Sequence, residues 1–302
     1  MWNIPEWLPY AELIITSIAM FWVAFLVFII GTSQLHNVCR ALFCTNVTAV
    51  LIGGVGQISI ELWIIRNGRP LGHNEFFFFP IVCIHQTGYF MCAVSFVLII
   101  GERLLLCFQP GFYEERDFSF STVFAAAVFV EISLTIPIII AMQYENLSVL
   151  CAVIFVAQEA ISLLLLQMCK RRSRKHYHTT FVKESLNARF EVKGVIELTT
   201  ALIPICTIAL IVKGLLLILN FISYFGQNHL VQDAHFLLRI GSLMYGIVYP
   251  FMLIFRVKTL RNRFSNFVPS SKVTVYVESP VKKESAESST KKYFQHLSIQ
   301  WS

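Results

Sequence analysis

The amino-acid sequence predicts an all-α membrane protein, built as a bundle of seven transmembrane helices. Hydrophobic residues make up 56% of the 302 residues and charged residues only 14%, whereas a soluble domain carries about 25% charged residues. The mean hydropathy is +0.66, and 27 Phe residues are spread along the chain. A chain of this composition cannot cover its surface with polar groups, so we expect the lipid bilayer to be its solvent.

Seven runs are long and apolar enough to cross a bilayer, because a hydrocarbon core of about 30 Å requires roughly 20 apolar residues in a helix. The second run contains Gly53, Gly54 and Gly56, which favour close packing against another helix. The fourth and fifth runs are separated only by residues 143–147, which is enough for an antiparallel hairpin. The predicted spans are residues 9–32, 41–65, 77–101, 120–142, 148–169, 196–224 and 234–255.

The distribution of Lys and Arg predicts which side of the membrane each connection faces. With a short extracellular N-terminus (residues 1–8), all but four of the 24 Lys and Arg residues fall in inner segments or the tail. The exceptions are Arg66, Arg69, Lys213 and Arg239. Because positive charge stays on the cytoplasmic side, we expect the N-terminus outside and the C-terminus inside. The net charge of +6 then reflects topology and gives no reason to expect nucleic-acid binding.

The inner segments have distinct compositions. The longest inner connection, residues 170–195, is basic and is predicted to contain extensions of the fifth and sixth helices. The cytoplasmic tail, residues 256–302, begins with a segment at 256–264 whose apolar residues recur at helical spacing among basic ones. This pattern predicts an amphipathic helix along the inner leaflet. Residues 269–292 are rich in Ser, Lys and Glu, which is typical of a disordered tail.

No pattern in the sequence predicts catalysis, and we expect no enzyme activity, cofactor or metal site. A phosphate-binding loop, a metalloprotease motif and paired Cys-x-x-Cys motifs are all missing from the sequence. Most of the eight Cys residues lie in or beside spans, where Cys acts as a small hydrophobic residue. Cys83 and Cys151 lie nearest the oxidising outer face and are candidates for a disulfide. Asn146 is a candidate N-glycosylation site, because the sequon Asn146-Leu147-Ser148 faces outward in this topology.

Ionisable residues inside the spans are the candidate ligand-binding groups, because such residues are costly in lipid and mark functional positions by default. These residues are Glu61, Glu131, Glu159, Lys213 and Arg239. Acids and bases around a common cavity would hold a polar or charged small molecule. In the alternative interpretation, Glu61 and Lys213 extend to the membrane interface and the others pair among themselves.

The inner end of the third span carries Glu102 followed by Arg103, with Pro110 seven residues later. This arrangement resembles the ionic-lock motif of rhodopsin-like receptors. In that motif the carboxylate neutralises the guanidinium at rest, and on activation the Arg caps the C-terminal carbonyls of an inserted G-protein helix. The alternative is a charge pair that ends a helix at the inner face.

Two prolines inside spans are candidate bend points. Pro204 lies in the sixth span, and Pro250 follows Tyr249 in the seventh. Each removes a backbone donor within a helix, so the alternative to a moving bend is a static kink.

Three stretches of the sequence occur in an order shared with a known receptor family. They are Glu102-Arg103 followed by Phe112-Tyr113-Glu114-Glu115, then Ser185-Leu186-Asn187-Ala188-Arg189-Phe190-Glu191 before the sixth span, then Tyr249-Pro250 in the last. Together they resemble the nematode serpentine chemoreceptors of the Sra superfamily, most of all the Sre class, over about residues 10–265. The chain departs from that pattern at Glu191, where Gln is usual, and at Gly194-Val195, where a Glu-Asn pair is expected.

The resemblance implies a multi-pass G-protein-coupled receptor of the plasma membrane, in the cilia of sensory neurons, that detects environmental or pheromonal molecules. Its partners would be a small-molecule ligand and the Gα subunit of a heterotrimeric G protein. Arg103 would line the Gα groove, with Arg189 and Lys193 at its rim. A small-solute transporter or channel, or a structural membrane protein, is the alternative, since each would also use a bundle of apolar helices.

Overall fold

The computed structural model describes residues 7–33, 35–68, 78–113, 116, 118–142, 145–180, 186–225 and 246–265. Within these ranges all regular secondary structure is helical, which confirms the predicted all-α class. The helices are α1 (Leu8–Gly31), α2 (Asn37–Asn67), α3 (Phe78–Phe108), α4 (Phe120–Met142), α5 (Glu145–Thr180), α6 (Leu186–Phe225), α7 (Gly246–Arg256) and α8 (Lys258–Ser265).

Helices α1 to α6 are each long and apolar enough to cross a membrane. Large apolar side chains remain exposed on their outer sides, as shown by Phe21 at 66%, Phe129 at 72% and Leu164 at 65% exposure. Apolar surface of this extent marks contact with a membrane in place of water. The chain is therefore a helical membrane protein, as its composition predicts.

The seventh predicted span is described only in part. Helix α7 begins at Gly246, and residues 234–245 of the predicted span lie outside the described residues. The same holds for residues 1–6 of the predicted N-terminus and for residues 266–302 of the predicted tail. The count of seven spans and the orientation of the bundle therefore stay predictions.

The connection between α5 and α6 is mostly helical, as predicted for residues 170–195. Helix α5 continues to Thr180, and α6 begins at Leu186. A helix that has already formed adds one hydrogen bond for each further residue, so it extends readily through the Lys- and Arg-rich segment. The connection between α4 and α5 is shorter than predicted, because α5 begins at Glu145.

Helices α2 and α3 approach closely because glycines of one helix face the backbone of the other. A Cβ atom on Gly88 would lie 2.0 Å from the nitrogen of Gly53, and one on Gly56 would lie 2.5 Å from the Cα of His85. The Nδ1 of His85 donates to the carbonyl oxygen of Gly53 over 3.1 Å. Close packing of this kind stabilises helix association in lipid, where the hydrophobic effect does not drive it. Of the predicted packing glycines, Gly56 has no room for a Cβ against α3, Gly54 has none against the Met20 side chain of α1, and a Cβ on Gly53 would lie at an ordinary contact distance of 3.5 Å.

The main apolar core is built mostly by α1, α2, α3, α6 and α7, with single buried residues from α4, α5 and α8. Its most buried side chains include Leu26, Ile30, Phe43, Ile99, Leu202 and Leu253. Helix α8 contributes Leu260, which is 1% exposed, and Phe264, whose ring centre lies 6.0 Å from that of Phe25. The backbone N–H of Lys258 donates to the carboxylate of Glu197 in α6. The predicted helix after the last span is thus present, with its apolar side on the bundle.

Both prolines proposed as bend points lie inside helices, Pro204 in α6 and Pro250 in α7. A third, Pro137, lies inside α4. Proline has no backbone N–H, so each of these positions lacks one helical hydrogen bond. Movement of the helices at Pro204 and Pro250 stays a prediction.

The residues of the two predicted covalent features lie near the N-terminal ends of α3 and α5. Cys83 is a free thiol, so the candidate disulfide to Cys151 is not present in this structure. Asn146 falls in the first turn of α5. The side chains of Cys151 and Asn146 lie outside the described residues.

We expect Gly88→Ala to destabilise the fold, because the added methyl group would overlap the backbone of Gly53. Overpacking of this kind costs about 1–3 kcal/mol. The matched control is Gly101→Ala in the same helix, where an added Cβ meets nothing within 4 Å. Thermal unfolding of the purified protein should show a lower midpoint for Gly88→Ala and an unchanged or higher one for Gly101→Ala. Equal midpoints would show that α2 and α3 do not approach this closely.

Candidate functional site

A cavity of about 420 Å³ lies between α1, α2, α3, α5, α6 and α7. Most of its wall is apolar, with contributions from Ala19, Met20, Val23, Phe96, Ile205 and Leu216. Small-molecule sites are typically of this size and this apolar character.

An ion pair between Glu159 of α5 and Lys213 of α6 forms part of the cavity wall. The two side chains are 6% and 22% exposed, respectively. The thiol of Cys206 donates to Oε2 of Glu159 over 3.5 Å, and Nζ of Lys213 lies 5.5 Å from the centre of the Tyr89 ring. A charged side chain is stable in the protein interior only when an opposite charge and hydrogen bonds compensate for the water it has lost. The structure therefore brings together two of the ionisable residues predicted to bind a ligand.

The other ionisable candidates are placed differently. Glu61 of α2 is fully buried, which rules out an extended side chain at the interface. It accepts a hydrogen bond from Gln57, whose side chain lines the cavity. Glu131 of α4 is also fully buried, beside Thr45 of α2 and away from the cavity wall. Arg239 lies outside the described residues.

A second polar cluster joins α2, α3 and α7 at the cavity. The amide of Asn46 donates to the hydroxyl of Ser95 over 2.8 Å and to the carbonyl oxygen of Cys92 over 3.1 Å. The hydroxyl of Tyr249 in turn donates to Oδ1 of Asn46 over 2.7 Å. Sequence reasoning gave Asn46 no role. Its only signal is an amide within an apolar run, which does not identify the helices that it joins.

Towards the C-terminal end of α3, Glu102 and Arg103 form an ion pair that is almost completely buried. The hydroxyl of Tyr113 donates to Oε1 of Glu102 over 2.7 Å, and the Tyr113 ring stacks on His36 with 3.7 Å between ring centres. A tyrosine hydroxyl is protonated at neutral pH, and burial and the adjacent Glu102 carboxylate raise the pKa of Tyr113 further. The Glu102 carboxylate thus neutralises the Arg103 guanidinium within the protein interior.

The predicted rim residues Arg189 and Lys193 lie in the first turns of α6. Arg189 is half-buried and Lys193 is exposed. Between them, Glu191 accepts a hydrogen bond over 2.9 Å from the backbone N–H of Gly111, which follows α3. The Glu191 carboxylate therefore connects the start of α6 to the segment that follows α3, near Arg103. This is the position at which the resemblance to the serpentine chemoreceptors leads us to expect Gln.

We expect the Glu159–Lys213 pair to show strong energetic coupling in a double-mutant cycle. Lys213→Met or Glu159→Met alone leaves one buried charge without its partner, which costs about 3–5 kcal/mol. The double variant removes both charges and should recover most of the lost stability. Thermal unfolding of the three variants and the parent protein measures this coupling. Losses that simply add in the double variant would show that the two side chains do not interact.

Comparison with protein-family models and with curated proteins finds no match for this chain. The resemblance to serpentine chemoreceptors therefore rests on sequence motifs, of which residues 114, 115 and 185 lie outside the described residues. What the chain does has to be inferred from the geometry of its cavity and its buried ion pairs.

Proposed function

We propose that this chain is a G-protein-coupled chemosensory receptor, with a small-molecule site in the cavity and a Gα site near the C-terminal end of α3. The supporting observation is that α3 adjoins two buried ion pairs. Tyr89 lies beside the Glu159–Lys213 pair, and Glu102–Arg103 follows 13 residues later in the same helix. That separation corresponds to about 20 Å along a helix, which suits two sites at different depths of one bundle.

Ligand binding acts in this proposal by shifting a conformational equilibrium. A ligand that contacts Lys213 or Glu159 better in one arrangement of α5 and α6 raises the population of that arrangement. The two helices each carry one member of the ion pair. Both continue past the predicted membrane boundary, to Thr180 in α5 and from Leu186 in α6. A relative movement at the cavity therefore also displaces their far ends.

The displaced ends form the Gα site. Movement of α6 away from α3 strains the contact between Glu191 and Gly111 and opens a groove beside Arg103. Arg103 then exchanges Glu102 for the C-terminal carbonyls of a Gα helix, because a guanidinium with several donors can cap them. Arg189 and Lys193 lie at the rim of this groove.

The proposal requires seven spans in the plasma membrane, with the N-terminus outside. By family resemblance the membrane is that of sensory cilia. The many basic residues at the far end of α5 and in α8 support this orientation, because such residues are retained in the cytoplasm.

Epitope tags at both ends of the chain test this topology. We expect the N-terminal tag to bind antibody on intact cells, and the C-terminal tag only after permeabilisation. The physical reason is the odd number of spans combined with the bias of positive charge. Both tags on one side would mean an even number of spans and would overturn the receptor architecture.

Replacing Arg103 should impair coupling to the G protein. We expect Arg103→Ala to lower basal nucleotide exchange on Gα by at least about tenfold, since a hydrogen-bonded charge in a desolvated contact is worth that much or more. Arg116→Ala is the matched control, because Arg116 lies over the Phe112 ring near the same end of the bundle. Exchange is measured with purified protein in lipid vesicles, and surface expression is measured in parallel.

Loss of Arg103 also leaves Glu102 buried without its ion pair, so a folding defect has to be separated from a coupling defect. Glu102→Gln/Arg103→Met removes both charges together and serves this purpose. Normal exchange in a well-expressed Arg103 variant would contradict the assignment.

A small-solute transporter is the second candidate, and Glu131 favours it. Fully buried carboxyl groups within membrane helices often belong to proton relays. This candidate predicts solute uptake by vesicles that contain the purified chain and no Gα. Uptake that Glu131→Gln abolishes would replace the receptor interpretation.

A further inference from the structure

The charge balance of the cavity restricts what it can bind. Among the described residues that line it, Glu159 and Lys213 are the acidic and basic side chains, and together they carry no net charge. The one histidine of the lining, His85, has its Nδ1 directed to the carbonyl oxygen of Gly53. The rest of the wall is largely apolar, so it offers little to stabilise an additional charge.

An anionic ligand would give the cavity a net negative charge. It would have to share Lys213 with Glu159, which is 5% exposed. The site would then hold two negative charges against one positive charge, in surroundings that exclude most water. Because an uncompensated buried charge is costly, the carboxylate already present disfavours a second one.

A cationic ligand meets the converse problem. The Lys213 ammonium occupies Oε1 of Glu159, and the thiol of Cys206 lies against Oε2. A second cation would therefore have to share the single carboxylate with Lys213 and lie beside a like charge.

An uncharged ligand that accepts a hydrogen bond leaves the net charge of the cavity at zero. The Lys213 ammonium has three N–H donors, and the structure directs one of them at Glu159. An occupant with an acceptor can therefore use a remaining N–H of Lys213 without adding a charge to the cavity.

We propose that the cavity binds an uncharged, mostly apolar small molecule whose carbonyl or similar acceptor accepts a hydrogen bond from Lys213. This inference rests on the proposed function, since it takes the cavity to be the ligand site of the receptor, and it adds the chemical class of the ligand. The apolar body lies along the walls of α1, α2 and α6. The acceptor lies beside the Lys213 ammonium.

A matched eight-carbon series tests the class directly. Octan-2-one, octanoate and octylamine share one apolar chain and differ in the charge of the head group. Binding is measured by saturation-transfer NMR on the purified full chain in nanodiscs of deuterated lipid, with empty nanodiscs as the blank. We expect octan-2-one to bind at least about tenfold more tightly than the other two, because each charged head group would add a buried charge that the cavity does not compensate. Tighter binding of octanoate or octylamine, or binding of none of the three, would overturn the proposal.

Two variants locate the interaction. Lys213→Met/Glu159→Met keeps the net charge of the cavity at zero but removes the donor, so the ketone should lose about tenfold in affinity. Glu159→Gln leaves Lys213 without its counter-charge in a side chain of nearly the same shape. In that variant the order should reverse, with octanoate binding more tightly than octan-2-one. An unchanged order in Glu159→Gln would show that charge balance does not govern the site.

The ligand class and the receptor function can fail separately. The NMR measurement contains no G protein, so a wrong rank order rejects the class of ligand and leaves coupling untouched. Conversely, normal exchange on Gα in the Arg103 variant rejects the receptor while the ketone can still bind the cavity.

Discussion

Backbone contact between α2 and α3, at Gly53 and Gly88, holds the centre of this bundle in place. The helices approach until a Cβ atom would no longer fit between them, and this closeness fixes the rotation of each helix about its axis. Tyr89 follows Gly88 directly and lies at the cavity beside Lys213. On the same interface, Asn46 reaches Ser95 and receives the hydroxyl of Tyr249 from α7. The cavity walls therefore depend on this interface.

Two buried carboxylates of this protein, Glu159 and Glu102, are each neutralised by a basic side chain in direct contact. Glu159 and Lys213 join α5 to α6, whereas Glu102 and Arg103 neutralise each other within α3. A charge in lipid cannot lose its partner without gaining another. Any ligand or partner protein that acts at these positions must therefore compete for a group that is already bound. This makes each pair suited to a switch between two arrangements in place of a gradual change.

In the proposed receptor, the long helices α5 and α6 would carry a movement at the cavity to their far ends. Helix α5 continues to Thr180, and α6 begins at Leu186, beyond the lengths that hydropathy predicts for their spans. The start of α6 is held to the end of α3 through Glu191 and the backbone of Gly111. Farther along, Glu197 of α6 accepts from the backbone of α8. Helix α6 thus contacts the cavity, the Arg103 region and the helix after the last span, which makes it the natural element to carry a displacement between them.

The sequence by itself determined that this chain is a helical membrane protein, where most helices lie, and that Glu102 can pair with Arg103. These properties follow from apolar run length and from neighbours in the chain, which are local. Only the tertiary structure decided that Lys213 pairs with Glu159, 54 residues away, and that Tyr249 meets Asn46, 203 residues away. It also placed Glu61 beside Gln57 in the interior, where hydropathy allowed a side chain extended to the interface. The physical reason is that a partner in the membrane is set by the rotation and packing of whole helices, and the contacts between α2 and α3 that set them join distant parts of the chain.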